Sequence, residues 1–150
     1  MKKLLCLMLM MMLLTGCKDD QETTTICKGK LDDTTTYTIT IEAKGDTVNM
    51  VKEKYVYDLT DRINEDASIE RWLPIIKSQD YDYNSFKGGQ GKYKIEGNKI
   101  IKEIKLNYNE VDFDELIRAG LIDDAREGET IYISLAETIK GEKEAGSTCK

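Results

Sequence analysis

The chain of 150 residues contains no histidine. Histidine is the usual general base near neutral pH, the commonest zinc ligand and the proton acceptor of Ser-His and Cys-His nucleophile pairs. Its absence excludes those catalytic and metal chemistries. A Cys-x-x-Cys redox motif is also absent from the sequence, which argues against thioredoxin-like chemistry.

Long apolar runs are scarce, and the one that is present spans Leu4 to Leu14, directly after Met-Lys-Lys. As a helix it would cover about 16 Å, too short for the roughly 30 Å hydrocarbon core of a bilayer. The order of these segments is that of a secretory signal peptide: a charged segment, then an apolar segment, then small residues before Cys17. The string Leu-Thr-Gly-Cys that ends at Cys17 resembles the bacterial lipobox, which implies cleavage before Cys17 and lipidation of its sulfur. The alternative is an ordinary signal peptide that a cysteine happens to follow.

Basic residues are fewer than acidic ones, 22 against 28, and the net charge is −6. Removal of the signal peptide takes away Lys2 and Lys3 and no acid, which changes the charge to −8. A chain this acidic predicts no nucleic-acid partner and little attraction to anionic lipid head groups. The lipid bilayer is therefore expected as a partner only through acyl chains on Cys17, and two such chains suffice for stable anchoring.

Four cysteines are present. Cys6 would leave with the signal peptide and Cys17 would carry lipid, so Cys27 and Cys149 remain in an oxidising compartment and predict a disulfide. Such a bridge closes a loop of more than a hundred residues and is worth about 4 to 5 kcal/mol in the chain-entropy model. Two free thiols are the alternative, because the sequence does not show that the two ends meet.

The mature length fits one domain. Residues 18–34 are predicted to be a polar tether leading into the first strand, and 35–150 a single domain. Within it, period-two patterns predict two β-hairpins with a bulge near Met50, and helical spacing and capping residues predict helices. The predicted elements are strands at 37–43, 48–59, 93–95 and 100–108, a brief strand at 131–133, and helices beginning at Ser68, at Asp112 or Asp114, and at Ser134.

Paired hairpins form antiparallel sheets, and amphipathic helices bury their apolar stripe against one sheet face. The expected fold class is α+β: an antiparallel sheet of two hairpins plus a short strand, packed on one face by two or three helices. Trp72 lies on the apolar stripe of its helix and is expected in the core rather than in a ligand platform.

The loop from Asp80 to Gly91 begins with Asp-Tyr-Asp-Tyr-Asn, which matches the first three ligand positions of an EF-hand. The match then fails, because Ser85 stands in place of the sharp-turn glycine and Gly91 in place of the bidentate glutamate. The loop is interpreted as a polar connection with partly exposed aromatic side chains, or as a contact surface, since tyrosines beside glycines favour binding loops. Its candidate binding residues are Tyr81, Tyr83 and Phe86.

Close carboxylates occur at Asp112, Asp114 and Glu115 and again at Asp123 and Asp124. Paired carboxylates could hydrolyse a glycosidic bond. Acids at helix starts are explained as well by capping and by the helix dipole. No catalytic, cofactor-binding or metal-binding residue is therefore predicted, and no cofactor.

The chain resembles the YehR-like family of small bacterial lipoproteins over roughly residues 35–147. The resemblance rests on the strand Tyr-Thr-Ile-Thr-Ile leading to Lys-Gly-Asp, on Leu-Asn-Tyr leading into Asp-Phe-Asp-Glu-Leu, and on a terminal Ser-Leu-x-x-Thr helix. It implies an α+β sheet-and-helix fold and a lipoprotein address. It carries no active-site residue to this sequence.

Together these features predict a non-enzymatic lipoprotein of the cell envelope, anchored through Cys17 to the outer face of the cytoplasmic membrane, or to a periplasm-facing membrane in a Gram-negative cell. We expect it to bind an envelope protein or a small molecule through the sheet face or the loop from Asp80 to Gly91. A carboxylate-dependent hydrolase or metal-binding protein that uses Asp80 and Asp82 is the alternative, and a purely structural component is a third. The oligomeric state is not predicted.

Overall fold

The computed structural model describes residues 21–63, 68–122 and 131–150. The predicted signal peptide with Cys6 and Cys17 lies outside the described residues, as do Asp123 and Asp124. None of the helices within the described ranges is long and apolar enough to cross a membrane.

The described residues form one six-stranded antiparallel sheet with three helices, which confirms the α+β fold class. The strand order is β4-β5-β3-β2-β1-β6. The strands are β1 (Glu22–Lys30), β2 (Thr35–Lys44), β3 (Thr47–Asp58), β4 (Gly89–Glu96), β5 (Lys99–Asn107) and β6 (Thr148–Cys149). The helices are α1 (Ile69–Ser78), α2 (Phe113–Arg118) and α3 (Leu135–Glu144), and single 3₁₀ turns lie at Thr60–Arg62 and Tyr83–Ser85.

Both predicted hairpins are present, β2 with β3 and β4 with β5. Gly45 has a φ of 59° at the first turn, a left-handed conformation that glycine adopts without steric cost. The register shifts where Glu42 faces Met50 but Ala43 faces Val48. Asn49 is therefore the extra residue of a bulge, which confirms the irregularity predicted near Met50.

The tether predicted over 18–34 is wrong for most of its length, because Glu22–Lys30 is strand β1. All nine of its residues have partners in β2. The segment from Thr23 to Thr25 is β-branched and suits a strand, but its side chains are polar on both faces. A strand without apolar alternation carries no period-two hydrophobic signal, and this is why it was missed.

The strand predicted at 131–133 is also wrong. Residues 131–133 form no strand; the next residue, Ser134, makes an isolated bridge with Thr47, and the Val48 N–H donates a hydrogen bond of 2.9 Å to the carbonyl of Ile133. The short strand of the fold is β6 instead, where Cys149 lies opposite Cys27.

The two cysteines are joined by the predicted disulfide, with an S–S distance of 2.04 Å across 122 residues of sequence. The disulfide holds the C-terminus to the edge of the sheet.

Side chains cap two of the helices as predicted. The Asp112 carboxylate accepts from the Asp114 N–H at 2.9 Å, and the Ser134 hydroxyl accepts from the Glu137 N–H at 3.2 Å. Asp46 in the first hairpin turn also accepts from the Ala136 N–H at 2.8 Å, and this hydrogen bond is the main cause that lowers the pKa of Asp46. The β2–β3 turn and the start of α3 are thereby fastened together.

All three helices pack on the same face of the sheet, which we call the core face. Trp72 of α1 packs there with Ile69 and Ile76, as predicted. The core is formed by the alternate strand residues that point towards the helices, chiefly Cys27, Tyr37, Ile39, Ile41, Val51, Ile100, Ile104 and Leu106.

Candidate functional site

The face of the sheet opposite the helices is polar at its centre and has a few apolar residues, such as Ile26 and Ile101, towards its margins. None of the described helices covers it. The odd and even positions of each strand point to opposite faces, and the strand register therefore decides which side chains meet there. We call the central part of this surface the lysine face. It consists of Lys28, Thr38, Thr40, Lys52, Lys54, Gln90, Lys92, Glu103 and Lys105.

The lysine face is arranged in two rows that cross the strands. In the first, Lys28 lies opposite Thr38, Thr38 opposite Lys54, Lys54 opposite Glu103, and Glu103 opposite Lys92. The second row crosses the same strands in the order Ile26, Thr40, Lys52, Lys105 and Gln90. The two rows line a groove of about 620 Å³.

Part of the positive charge on this face is paired. The Lys52 ammonium lies 2.6 Å from the carboxylate of Glu42, and that of Lys92 lies 2.8 Å from Glu103. The hydrogen bond from Lys92 is the main cause that lowers the pKa of Glu103. Within the described residues, Lys28, Lys54 and Lys105 have no carboxylate within 4.0 Å. Of these three, Lys54 lies opposite Glu103 and its charge helps to lower the pKa of that carboxyl.

Lys52 and Lys105 lie directly opposite each other in neighbouring strands. Like charges at facing positions of an antiparallel pair destabilise a sheet. The arrangement therefore has a small cost in stability, and nothing in the packing of the core requires it.

The core face carries a second group of charged side chains, which is buried. Lys102 is only 7% exposed, and its ammonium lies 2.5 Å from an oxygen of Asp80. The other oxygen of Asp80 accepts a hydrogen bond from the hydroxyl of Tyr93. The same ammonium lies over the rings of Tyr55 and Tyr83, at 5.0 and 6.0 Å from their centroids. Asp80 and the two rings together contact the ammonium group in place of the water molecules that would hydrate an exposed lysine.

Glu53 on β3 is a second charged side chain of the core face, and it is half-buried. It points to the core face opposite Ile104 and accepts a hydrogen bond of 2.7 Å from the Tyr55 hydroxyl. Burial raises the pKa of the Glu53 carboxyl, while the Tyr55 hydrogen bond and the charge of Lys102 oppose that rise and Glu142 adds to it. Burial likewise raises the pKa of Tyr55. Because the charge of Lys102 acts on Glu53, the hydrogen-bonded pair of Glu53 and Tyr55 is coupled electrostatically to the ion pair of Lys102 and Asp80.

The predicted binding loop is partly a core element. The rings of Tyr81, Tyr83 and Phe86 form one cluster, with centroids 5.7 to 6.4 Å apart. Phe86 is buried, Tyr83 is half-buried and Tyr81 alone is exposed, at 38%. The expectation that all three lie partly on the surface is wrong for Phe86, because it packs against Ile104 and Leu116.

The same loop protects the free edge of β4. The side-chain amide of Asn84 donates to the carbonyl of Gly91 at 3.0 Å, and the Gly91 N–H donates to the Asn84 carbonyl oxygen at 3.1 Å. Asn84 thus takes the place of a strand residue at an edge where another chain could otherwise pair. The loop also borders a cavity of about 310 Å³ beside Lys77, Asp80 and Tyr93.

The carboxylates that match EF-hand ligand positions in sequence have protein partners. Asp80 is engaged by Lys102 and Tyr93, and Asp82 accepts from the Asn84 N–H at 3.1 Å. In the part of the chain that the structure describes, no three side chains of the metal-binding types come together. The string Asp-Tyr-Asp-Tyr-Asn caps a 3₁₀ turn and holds a buried lysine.

Lys102, Glu53 and the lysine face were not identified from the sequence. The signal for Lys102 was present, since it falls on the apolar phase of β5 between Ile100 and Ile104. Glu53 falls in the same way between Val51 and Tyr55. A charged residue on the apolar phase of a strand predicts a buried, paired charge. The lysine face has no comparable signal, because its residues come from five separate strands.

Comparison with known proteins identifies similar structures only. No family model matches the chain, and no curated protein matches it. The solution NMR structure of the Escherichia coli YehR protein has a TM-score of 0.65 at 20% identity, covering 87% of this chain and 91% of that one. An NMR structure of a protein from Streptococcus pneumoniae TIGR4 has a TM-score of 0.56 at 13% identity, covering 92% and 90%. The fold of this chain is YehR-like.

Proposed function

We propose that the chain is a lipid-anchored, extracytoplasmic binding module without catalytic activity, and that it engages its partner through the lysine face. The observation that carries this proposal is a groove lined by five lysines and two glutamates on an acidic chain of net charge −6. In the described structure, helices cover only the other face of the sheet, and the groove is left accessible.

The lysine face is not explained by stability. Exposed charges contribute little to folding, and Lys52 facing Lys105 acts against it. Polar rather than aliphatic side chains keep the face soluble, but threonine, glutamine and glutamate would do so equally well. Interaction with a negatively charged partner accounts for the excess of lysine.

The anchor places this groove close to a membrane. Strand β1 begins at Glu22, five residues beyond Cys17. Five residues of extended chain reach roughly 17 Å, whereas a tether that lasted to residue 34 would reach more than three times as far. The partner is therefore a component found near the membrane surface.

The anchor itself is tested with Cys17→Ala, which removes the sulfur that takes the lipid. Cells labelled with palmitate should incorporate label into the wild-type protein and not into the variant, and the variant should stay uncleaved or leave the membrane. Labelling of the variant at the wild-type level would show that Cys17 is not the anchor.

The binding role is tested by crosslinking in cells. A photoreactive amino acid replaces Thr38 in the lysine face and, in a matched control, Lys140 on the exposed side of α3. Crosslinked material, analysed by mass spectrometry for protein and for glycan or polyol fragments, is expected from position 38 only. Equal capture from both positions, or none from position 38, would contradict the proposal.

The alternative of a carboxylate-dependent hydrolase or metal-binding protein ranks lower, because Asp80 and Asp82 are already engaged by neighbouring groups. Calorimetry with calcium separates the two: saturable binding that Asp82→Ala abolishes would reverse this ranking.

A further inference from the structure

We infer that the lysine face binds a linear polymer of phosphodiester-linked polyol or sugar units, lying in the groove across the strands. This inference rests on the proposed function and names the chemical class of the partner.

Charge complementarity is the first argument. Three lysines of the groove, Lys28, Lys54 and Lys105, have no ion-pair partner among the described residues. Neighbouring strands are about 4.8 Å apart, and alternate residues of one strand are about 7 Å apart. The ammonium groups therefore form a two-dimensional array that one small anion cannot satisfy. A chain with anionic groups repeated at similar intervals can contact several of them at once.

The residue types suit a phosphodiester chain. Arginine pairs in a planar, bidentate way with carboxylate and with phosphate alike, whereas lysine is a point charge that contacts phosphate oxygens from many directions. All the basic side chains lining the groove are lysines. Thr38 and Thr40 lie between them and supply hydroxyl donors of the kind that contact phosphate oxygens elsewhere.

The groove also discriminates against other phosphate-bearing partners. Proteins that hold single-stranded nucleic acid stack its bases on aromatic side chains, and the groove is lined by no aromatic residue. The tyrosines of β2, β3 and β4 point to the core face instead. A groove of about 620 Å³ fits an extended chain better than the flat surface of a bilayer. The polymer that fits has phosphates and no bases.

The test uses the mature lipoprotein in neutral phosphatidylcholine vesicles, titrated with fluorescent poly(glycerol phosphate) of defined length. Binding should be saturable and should weaken as salt rises, since each neutralised phosphate contributes roughly −0.7 to the log–log slope for a flexible chain. The double variant K54Q/K105Q should bind at least tenfold more weakly, with a slope flatter by about 1.4. K140Q/K143Q on α3 changes the net charge equally and should bind like the wild type. Polymer binding that K54Q/K105Q leaves unchanged would overturn the inference.

Acetylation footprinting identifies the source of the phosphate. The polymer should protect Lys54 and Lys105 from acetylation and leave Lys140 reactive, whereas phosphatidylglycerol vesicles, single-stranded DNA and polygalacturonate at equal charge should give weaker protection. Stronger protection by any of these three would overturn the inference in favour of that class. If no polyanion binds while position 38 still crosslinks a protein in cells, this inference fails and the proposed function stands. If position 38 crosslinks nothing and no polyanion binds, both fail.

Discussion

Strand β5 carries three lysines, and two of them, Lys102 and Lys105, lie three residues apart on opposite faces of the sheet. Lys102 points to the core face, is 7% exposed and is held by Asp80. Lys105 points to the lysine face, opposite Lys52, with no ion pair within the described ranges. The charge of Lys102 is paired within the fold, whereas that of Lys105 is left without a carboxylate neighbour in the described structure. Under the function proposed above, one residue type has a structural role on one face and a recognition role on the other.

The two faces can be compared by substitution, because each core-face residue has a lysine of the other face close by in its own strand. Cys27 precedes Lys28, Lys102 precedes Lys105, and Glu53 precedes Lys54. If the faces differ as described, the core-face variant of each pair should lose stability or change its pH dependence. The lysine-face variant should affect binding alone.

The largest effect is expected at the disulfide. The double variant C27S/C149S opens a loop of more than a hundred residues and should lower the free energy of unfolding by about 4 kcal/mol, as measured by urea denaturation. K28Q should change it by less than about 0.5 kcal/mol. A loss of less than about 1 kcal/mol in the double variant would mean that β6 and its hydrogen bonds hold the C-terminus without the covalent link.

The next largest effect is expected at Lys102. Lys102→Met removes one member of a mostly buried ion pair and leaves Asp80 with Tyr93 only, which should cost about 3 kcal/mol in urea denaturation. Lys105→Met should leave stability within about 0.5 kcal/mol of the wild type, with a shift in the stabilising direction, because it relieves repulsion with Lys52. Equal losses in the two variants would remove the distinction between the faces.

The smallest effect is expected at Glu53, as a change in pH dependence. Because its pKa is raised in the folded state above the ordinary 4.5, the folded chain holds this proton more tightly than the unfolded chain. The stability that results is fully present below pH 4.5 and is lost as the pH rises through the raised value. The free energy of unfolding of Glu53→Gln should therefore increase relative to the wild type across that interval.

Chemical denaturation at intervals between about pH 4 and pH 8 measures this difference. Lys54→Gln is the control and should follow the wild-type curve in parallel. A constant difference between Glu53→Gln and the wild type would show that Glu53 ionises as readily in the folded chain as in the unfolded one.

The local features of the fold were predictable from neighbouring residues. Alternation from Tyr37 to Ala43 predicted β2, glycines at 45 and 97 predicted the hairpin turns, and Ser134 and Asp112 predicted two helix starts. Each of these signals acts over a few residues, because a turn or a cap is decided by backbone conformation and hydrogen bonds close in sequence. Strand β1 was missed for the same reason: its polar side chains give no local sign that β2 lies beside it.

The sequence by itself determined two of the hairpins, the helix starts, the acidic balance and the cysteines left to pair. Only the tertiary structure decided which face the helices cover, that Asp80 holds Lys102 from 22 residues away, and that lysines of β1, β3, β4 and β5 line one groove. The physical reason is that strand order and register are set by the packing of the whole core, and a shift of one residue moves every side chain to the other face. Net charge is a sum over the chain, but recognition depends on where the sheet places each charge.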